Sequence, residues 1–216
     1  MRPVGTNPLG RAVSAVTTSP IGVGPGRFHY SEKLEEVETV YLGIFDRDFV
    51  IKVGGYDETN LQWAAEDQEL NYRIRKAGGK ILLDPRIKST YFPRDNARAL
   101  ARQYHNYGMC KASTLAKHKV LPYWRPLAPA IMVLLCFLWI PMTFVFGIRY
   151  LSILPFVAYA SGAIAIGLRM SKERGVTPHR VATAISICHW CYGFGFWRGF
   201  FRIITFRKFD AKPKGG

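Results

Sequence analysis

The chain has 216 residues, 49% of them hydrophobic, and a net charge of +15. That length allows one or two domains. Four cysteines, most of them in apolar settings, give no sign of a disulfide framework, and residues 1–30 lack the apolar core of a cleavable signal peptide. Residues 1–126 carry 19 Lys/Arg against 13 Asp/Glu, and residues 127–216 carry 11 against 2. The basic excess is densest beside apolar runs, so attraction to anionic lipid headgroups is the favoured reading and nucleic-acid binding ranks last.

In chain order, residues 1–30 are rich in Gly and Pro. Residues 11–18 suggest a short helix, and Ile21-Gly22-Val23-Gly24-Pro25-Gly26 reads as a loop, because no Gly-Lys-Ser/Thr follows it. Val40-Tyr41-Leu42-Gly43-Ile44-Phe45 reads as a buried strand. Residues 47–53 read as a short helix with Phe49, Val50 and Val53 on one face, stopped by Gly54-Gly55. Asp46-Arg47-Asp48 has the form of a metal-binding DxD, but its acids read as a helix cap and first-turn charge. The next helix covers 66–77, with Leu70, Ile74 and Ala77 on one face and Gly78-Gly79 as its stop. Lys80-Ile81-Leu82-Leu83-Asp84 reads as a strand ended by Pro85.

Asp95 or Asn96 caps a helical stretch running to about His118. Its mix of Leu100, Tyr104, Tyr107 and Met109 with Arg98, Arg102 and Lys111 suits an amphipathic helix at a membrane surface. Residues 127–148 and 150–168 contain no charged residue, and each run is long enough to cross a hydrocarbon core of about 30 Å. They read as a transmembrane hairpin. The basic loop with Arg169, Lys172, Arg174 and Arg180 places that side, and the N-terminal part with it, in the cytoplasm. The apolar segment 181–197 is followed by a basic tail, which favours a re-entrant or interfacial placement over a third crossing. Cys188-His189-Trp190-Cys191 has CxxC spacing in an apolar setting, where packing is the expected role. His29, His105 and His118 stand alone in sequence and read as surface or interface residues.

Asp67 is the leading candidate for chemistry. A carboxylate in the first turn of a helix is favoured as the anion by the helix dipole. At a cleft edge it can take a proton from an attacking hydroxyl, with Glu66 as an orienting partner. The competing reading is that Glu66, Asp67 and Glu69 only decorate a helix N-terminus.

Val40-Tyr41-Leu42-Gly43, Val53-Gly54-Gly55-Tyr56-Asp57-Glu58, the run from Glu66-Asp67-Gln68-Glu69-Leu70 to Ala77-Gly78-Gly79, and the strand ending in Asp84-Pro85 together resemble family 2 glycosyltransferases of the GT-A fold. The continuation through Ala99-Leu100-Ala101-Arg102-Gln103-Tyr104 into a membrane hairpin resembles the succinoglycan-type exopolysaccharide members, as do Pro20-Ile21-Gly22-Val23-Gly24 and residues 190–199. The resemblance implies an α/β chain in three parts. Residues 1–93 would be the C-terminal half of a GT-A domain, 94–125 an interface helix, and 126–216 the membrane region. It implies inverting transfer from a nucleotide-sugar to a lipid-linked acceptor, with Asp67 as base beside Glu66. Gly54, Gly55, Tyr56, Asp57 and Trp63 would form the acceptor-side loop. A Mg or Mn ion is implied for the whole family, with its ligands in the donor-binding half. That half is expected to be missing from this chain, and no metal ligands are assigned within it. The Gln-x-x-Arg-Trp motif of processive members is also missing, which favours single-sugar addition. A non-enzymatic membrane protein descended from such an enzyme is the alternative.

Overall fold

A computed structural model of the chain describes residues 2–19, 26–40, 42–57, 66–119 and 125–206. The described part is mostly helical. Helix α1, Pro8–Thr17, starts where the Asn7 side chain accepts from the Gly10 amide at 2.7 Å and a proline occupies the first turn. Its buried face consists of small residues, Ala12, Val13, Ala15 and Val16. Helix α2, Arg47–Lys52, is capped by Asp46 Oδ1, which accepts from the Phe49 amide at 2.7 Å. It stops at Gly54 and Gly55, whose φ of 92° and 62° are the left-handed values a side chain resists. Helix α3, Glu66–Lys76, has acids in its first turn and bases in its last, matching the helix dipole at both ends.

The α/β expectation is met only in part. Among the described residues the sheet structure is four strands of two residues each. Strand β1, Arg2–Pro3, pairs in parallel with β4, Thr90–Tyr91, and β2, Glu35–Glu36, pairs antiparallel with β3, Leu82–Leu83. The buried strand expected over residues 40–45 does not form among the described residues, Val40 and 42–45; Tyr41 lies outside them. Leu42 has a φ of 53°, which interrupts any extended run, and Leu42 and Ile44 are 72% and 91% exposed. The apolar burial of this region comes instead from α2 and α3. Leu70 and Ile74 pack with Val37, Ile81 and Leu83, and Phe45, Phe49, Val50 and Val53 close over them. Its size is that of a small satellite core, which explains why local capping matters here. Asp46→Ala is expected to cost about 1 kcal/mol by thermal unfolding. The loss should be the same with and without added Mn²⁺, and a Mn²⁺-dependent difference would restore a metal role to Asp46.

Helix α4, Ala97–His118, begins at Asn96, which accepts from the Ala99 amide at 2.8 Å, and ends at Lys119 in the left-handed region. Helix α5, Ala128–Val145, and the stretch Arg149–Arg174, which contains helix α6, Leu154–Arg174, are long and apolar enough to cross a membrane. They meet little of each other and leave Leu135, Phe144, Val145, Val157 and Ile164 exposed, as lipid-facing residues would be. Residues 181–197 lie within one unbroken helix, α7, Pro178–Phe206. At 29 residues it is about 44 Å long.

Helix α7 organises everything else. Its first half buries Val181, Ala184, Ile185 and Cys188 against α1, against Leu100 and Tyr104 of α4, and against Met170 of α6. Its second half meets α4 and the start of α5 through glycines. The Trp197 indole donates to the Ala130 carbonyl at 2.8 Å, tying α7 to α5. Helix α4 is therefore not simply an amphipathic helix on a surface. Its apolar residues are spent on another helix of the same chain. Cys188 is a packing residue of this core, and none of Cys110, Cys136, Cys188 and Cys191 is in a disulfide.

Candidate functional site

The first turn of α3 lies within electrostatic reach of Tyr107 on α4. Asp67 is partly buried there, and its Oδ1 accepts from the Gln68 amide at 2.7 Å. Burial pushes its pKa up, and the charge of neighbouring Glu66 adds to the effect. The helix N-terminus favours the anion and burial works against it, so the carboxylate holds its proton more tightly than a free aspartate does. A raised pKa makes the carboxylate a better proton acceptor. Glu66 itself is exposed at the helix start, and its contribution to Asp67 is electrostatic.

Two phenols lie in the same field. The Gln103 side-chain amide donates to Tyr107 Oη at 2.9 Å and to Tyr91 Oη at 3.2 Å. Burial raises the pKa of Tyr107 to about 12, with further pushes from Tyr91 and Asp67 and a counter-pull from Arg94. Asp67 thus lies within electrostatic reach of Tyr107, whose hydroxyl shares the Gln103 amide with Tyr91 of β4.

Of the acceptor-side loop, Gly54 and Gly55 turn the chain out of α2, and Tyr56 is half exposed. Asp57 is nearly buried and pairs with Lys117 Nζ at 2.6 Å. Trp63 lies outside the described residues.

The largest departure from the sequence reading is Glu69. It is completely buried, not a decoration of the helix start. Its carboxylate accepts from Arg73 Nε at 2.9 Å to each oxygen and from Arg73 Nη2 at 2.7 Å. It also accepts from Lys117 Nζ at 2.7 Å and from His118 Nε2 at 2.8 Å. Arg73 extends this network by donating to the Val53 and Gly55 carbonyls. Burial works against the Glu69 anion, but the hydrogen bonds and charges of Arg73 and Lys117 win, and its pKa falls below the ordinary 4.5. Its contribution to stability is therefore complete above pH 4.5 and is lost as pH falls through the folded-state value. His118 is held low, chiefly by burial and despite Glu69, so it donates as a neutral ring. The ring leans on Tyr72, with centroids 4.5 Å apart. Sequence offered one clue to this network. Glu69 and Arg73 are spaced i,i+4 on one helix face, whereas Lys117 and His118 are distant in the chain and gave no signal.

The divalent cation implied by the family resemblance finds no fit among the described residues. No group of three His, Cys, Asp or Glu side chains there is placed to hold a metal ion, and Asp46 spends its carboxylate on the α2 cap. No step below runs through a cation.

Compared with known proteins, the chain is similar to the succinoglycan biosynthesis protein ExoA of Rhizobium meliloti (strain 1021). The two are 25% identical over 209 residues, covering 96% of this chain and 61% of that protein. The chain thus spans about three-fifths of the length of this relative. No family model matches it, and no solved structure does.

Proposed function

We propose that this chain serves glycosyl transfer in the synthesis of a cell-surface polysaccharide, supplying the acceptor side and the general base of an inverting reaction. The observation that carries the reading is the placement of Asp67. It is a partly buried carboxylate of raised pKa, within electrostatic reach of Tyr107, a phenol carried on a helix that packs along α7. The likeness to a succinoglycan biosynthesis protein, running along nearly the whole chain, supports the same direction.

In this reading Asp67 takes the proton of an acceptor hydroxyl as its oxygen attacks the anomeric carbon of a nucleotide-sugar. The new glycosidic C–O bond forms as the bond to the nucleotide's phosphate oxygen breaks, and that oxygen leaves with the electron pair. Attack from the face opposite the leaving group inverts the anomeric centre. Gln103, Tyr91 and Tyr107 present hydrogen-bonding and aromatic surface to the acceptor, which is a lipid-linked or polysaccharide sugar. Helices α5 and α6 cross the membrane as a hairpin and hold the site at its cytoplasmic face, where a lipid-anchored acceptor arrives. GT-A architecture, family 2 membership and addition of single sugars belong to this proposal.

The test uses membranes of the source cell with the gene edited in place, supplied with radiolabelled nucleotide-sugars in turn. Label is expected in the lipid extract or polymer from the unedited strain, in a product of inverted anomeric configuration, and not from the Asp67→Asn strain. Equal labelling of both strains would remove Asp67 as base. Retained configuration would remove the inverting mechanism.

A further inference from the structure

Glu69 and the four groups around it form a closed electrostatic set. Glu69 and Asp57 supply two negative charges, Arg73 and Lys117 two positive ones, and neutral His118 completes the hydrogen bonding. The side chains of Glu69 and Asp57 are 0% and 9% exposed, and those of Arg73, Lys117 and His118 are 18%, 26% and 11% exposed. An arrangement this enclosed is costly to desolvate, and replacing such sets by apolar residues is often neutral or stabilising. Stability alone is therefore a weak reason for it to exist, whereas geometry is a strong one.

The set adds polar links between three segments, the turn out of α2, α3 and the end of α4, alongside the apolar packing of Val53 on Leu70 and Ile74 and the contact of His118 with Tyr72. Through Arg73 it holds the carbonyls of Val53 and Gly55, which bracket the turn out of α2. Through Lys117 it holds Asp57 at the far end of the same loop. Through Lys117 and His118 it takes hold of the last turn of α4. Glu69 itself lies two residues from Asp67 on the rigid α3. The other end of α4 is locked to α7 and α1 by Leu100 and Tyr104. Helix α4 thus acts as a rod of about 33 Å between the membrane bundle and this set.

We propose that Glu69 is the positioning residue of the site. It sets loop 54–57 and the end of α4 at a fixed place relative to Asp67, through Arg73 and Lys117, without itself exchanging a proton in the reaction. The catalytic meaning of this rests on the reading of Asp67 as base, while the structural coupling does not.

Three variants separate the contributions. Glu69→Gln keeps the shape and removes the charge. Arg73→Lys keeps the charge and loses the planar fork, because one ammonium cannot bridge a carboxylate and two carbonyls together. Lys117→Met removes the link to α4. The first measurement is hydrogen exchange in the membrane-extracted protein, which needs no substrate. The Gly54 and Gly55 amides, bonded to the Ile51 and Val50 carbonyls, are expected to exchange at least about tenfold faster in all three variants. Amides in the first half of α4 should be unchanged. The second is transfer in edited membranes. Lys117→Met and Arg73→Lys are expected to raise the acceptor KM about tenfold or more with the donor KM unchanged. A merely structural role would lower the folded fraction and leave both KM values as they are.

Wild-type exchange at Gly54 and Gly55 in Arg73→Lys and Lys117→Met would overturn the coupling. Faster exchange with an unchanged acceptor KM would overturn the positioning role. Full transfer by Asp67→Asn would instead overturn the reading beneath it and leave the exchange result standing.

Discussion

Asp67→Asn is expected to lower glycosyl transfer by about 10²–10⁴-fold, the usual worth of a positioned general base, while making the protein more stable at neutral pH. The two effects have one cause. Burial raises the Asp67 pKa above its ordinary 3.8, so the folded state binds the proton more tightly than the unfolded chain does. Wild-type stability is therefore lost as pH rises from 3.8 through the folded-state value, where the carboxylate must ionise in a partly buried place beside Glu66. The neutral amide escapes that loss. It also keeps an oxygen for the Gln68 amide, so the local cap survives. Loss of the favourable helix-dipole term works the other way by a few tenths to 1 kcal/mol, and the net upward shift of the pKa says that burial and Glu66 exceed it. Unfolding midpoints measured from pH 3 to 8 should show the variant gaining on the wild type through that window and matching it below about pH 3.8. A variant less stable than wild type at pH 7 would contradict the buried, ionised carboxylate.

Glycine-to-alanine substitutions in α4, α6 and α7 are expected to separate steeply by position. A methyl at Gly195 would lie 2.0 Å from the His105 carbonyl oxygen, and one at Gly108 would lie 2.1 Å from the Tyr192 carbonyl oxygen and 2.6 Å from the Phe196 nitrogen. These are backbone atoms of helices already in contact, so no side chain can rotate aside. Close backbone approach through small residues is the way helices associate where lipid offers no hydrophobic contrast. Gly195→Ala and Gly108→Ala should each cost about 3 kcal/mol, the upper end of the usual range for overpacking. Gly199→Ala, with its nearest neighbours at 2.9–3.2 Å, should cost about 1 kcal/mol. Gly162→Ala meets nothing within 4 Å and should be neutral or gain up to about 1 kcal/mol from helix propensity. Unfolding in detergent micelles, followed by circular dichroism, ranks the four. A Gly195→Ala protein as stable as wild type would mean that α4 and α7 do not meet as described. Because α4 carries Gln103, Tyr107 and Lys117, the same variant should also disturb the site without touching it.

The helices were legible because their determinants are local. Asp46 is a capping residue read directly from sequence and Asn96 is one of the two offered for its helix, Gly54-Gly55 and Gly78-Gly79 are stops, and uncharged runs mark the two membrane-length segments, whereas the Asn7 cap that starts α1 three residues early went unread. The strand at residues 40–45 misled because an apolar run is compatible with either burial or exposure, and a single left-handed residue, Leu42, decides the matter. The α/β expectation came from a resemblance of motifs, which fixes the order of parts and not how far strands pair.

What the sequence by itself determined is most of the helices, though not the start of α1 or the full length of α7, together with the two membrane-length runs and the Glu66-Asp67 pair at a helix start. Each depends on residues within a few positions of one another. Only the tertiary structure decided that Glu69 is a buried hub, that His118 belongs to it and that α4 is bound along α7. Those facts depend on side chains 48, 49 and about 90 positions apart in the chain. A charge or a glycine looks the same in sequence whether it faces water or another backbone, and its partner is set only when the chain has folded back on itself.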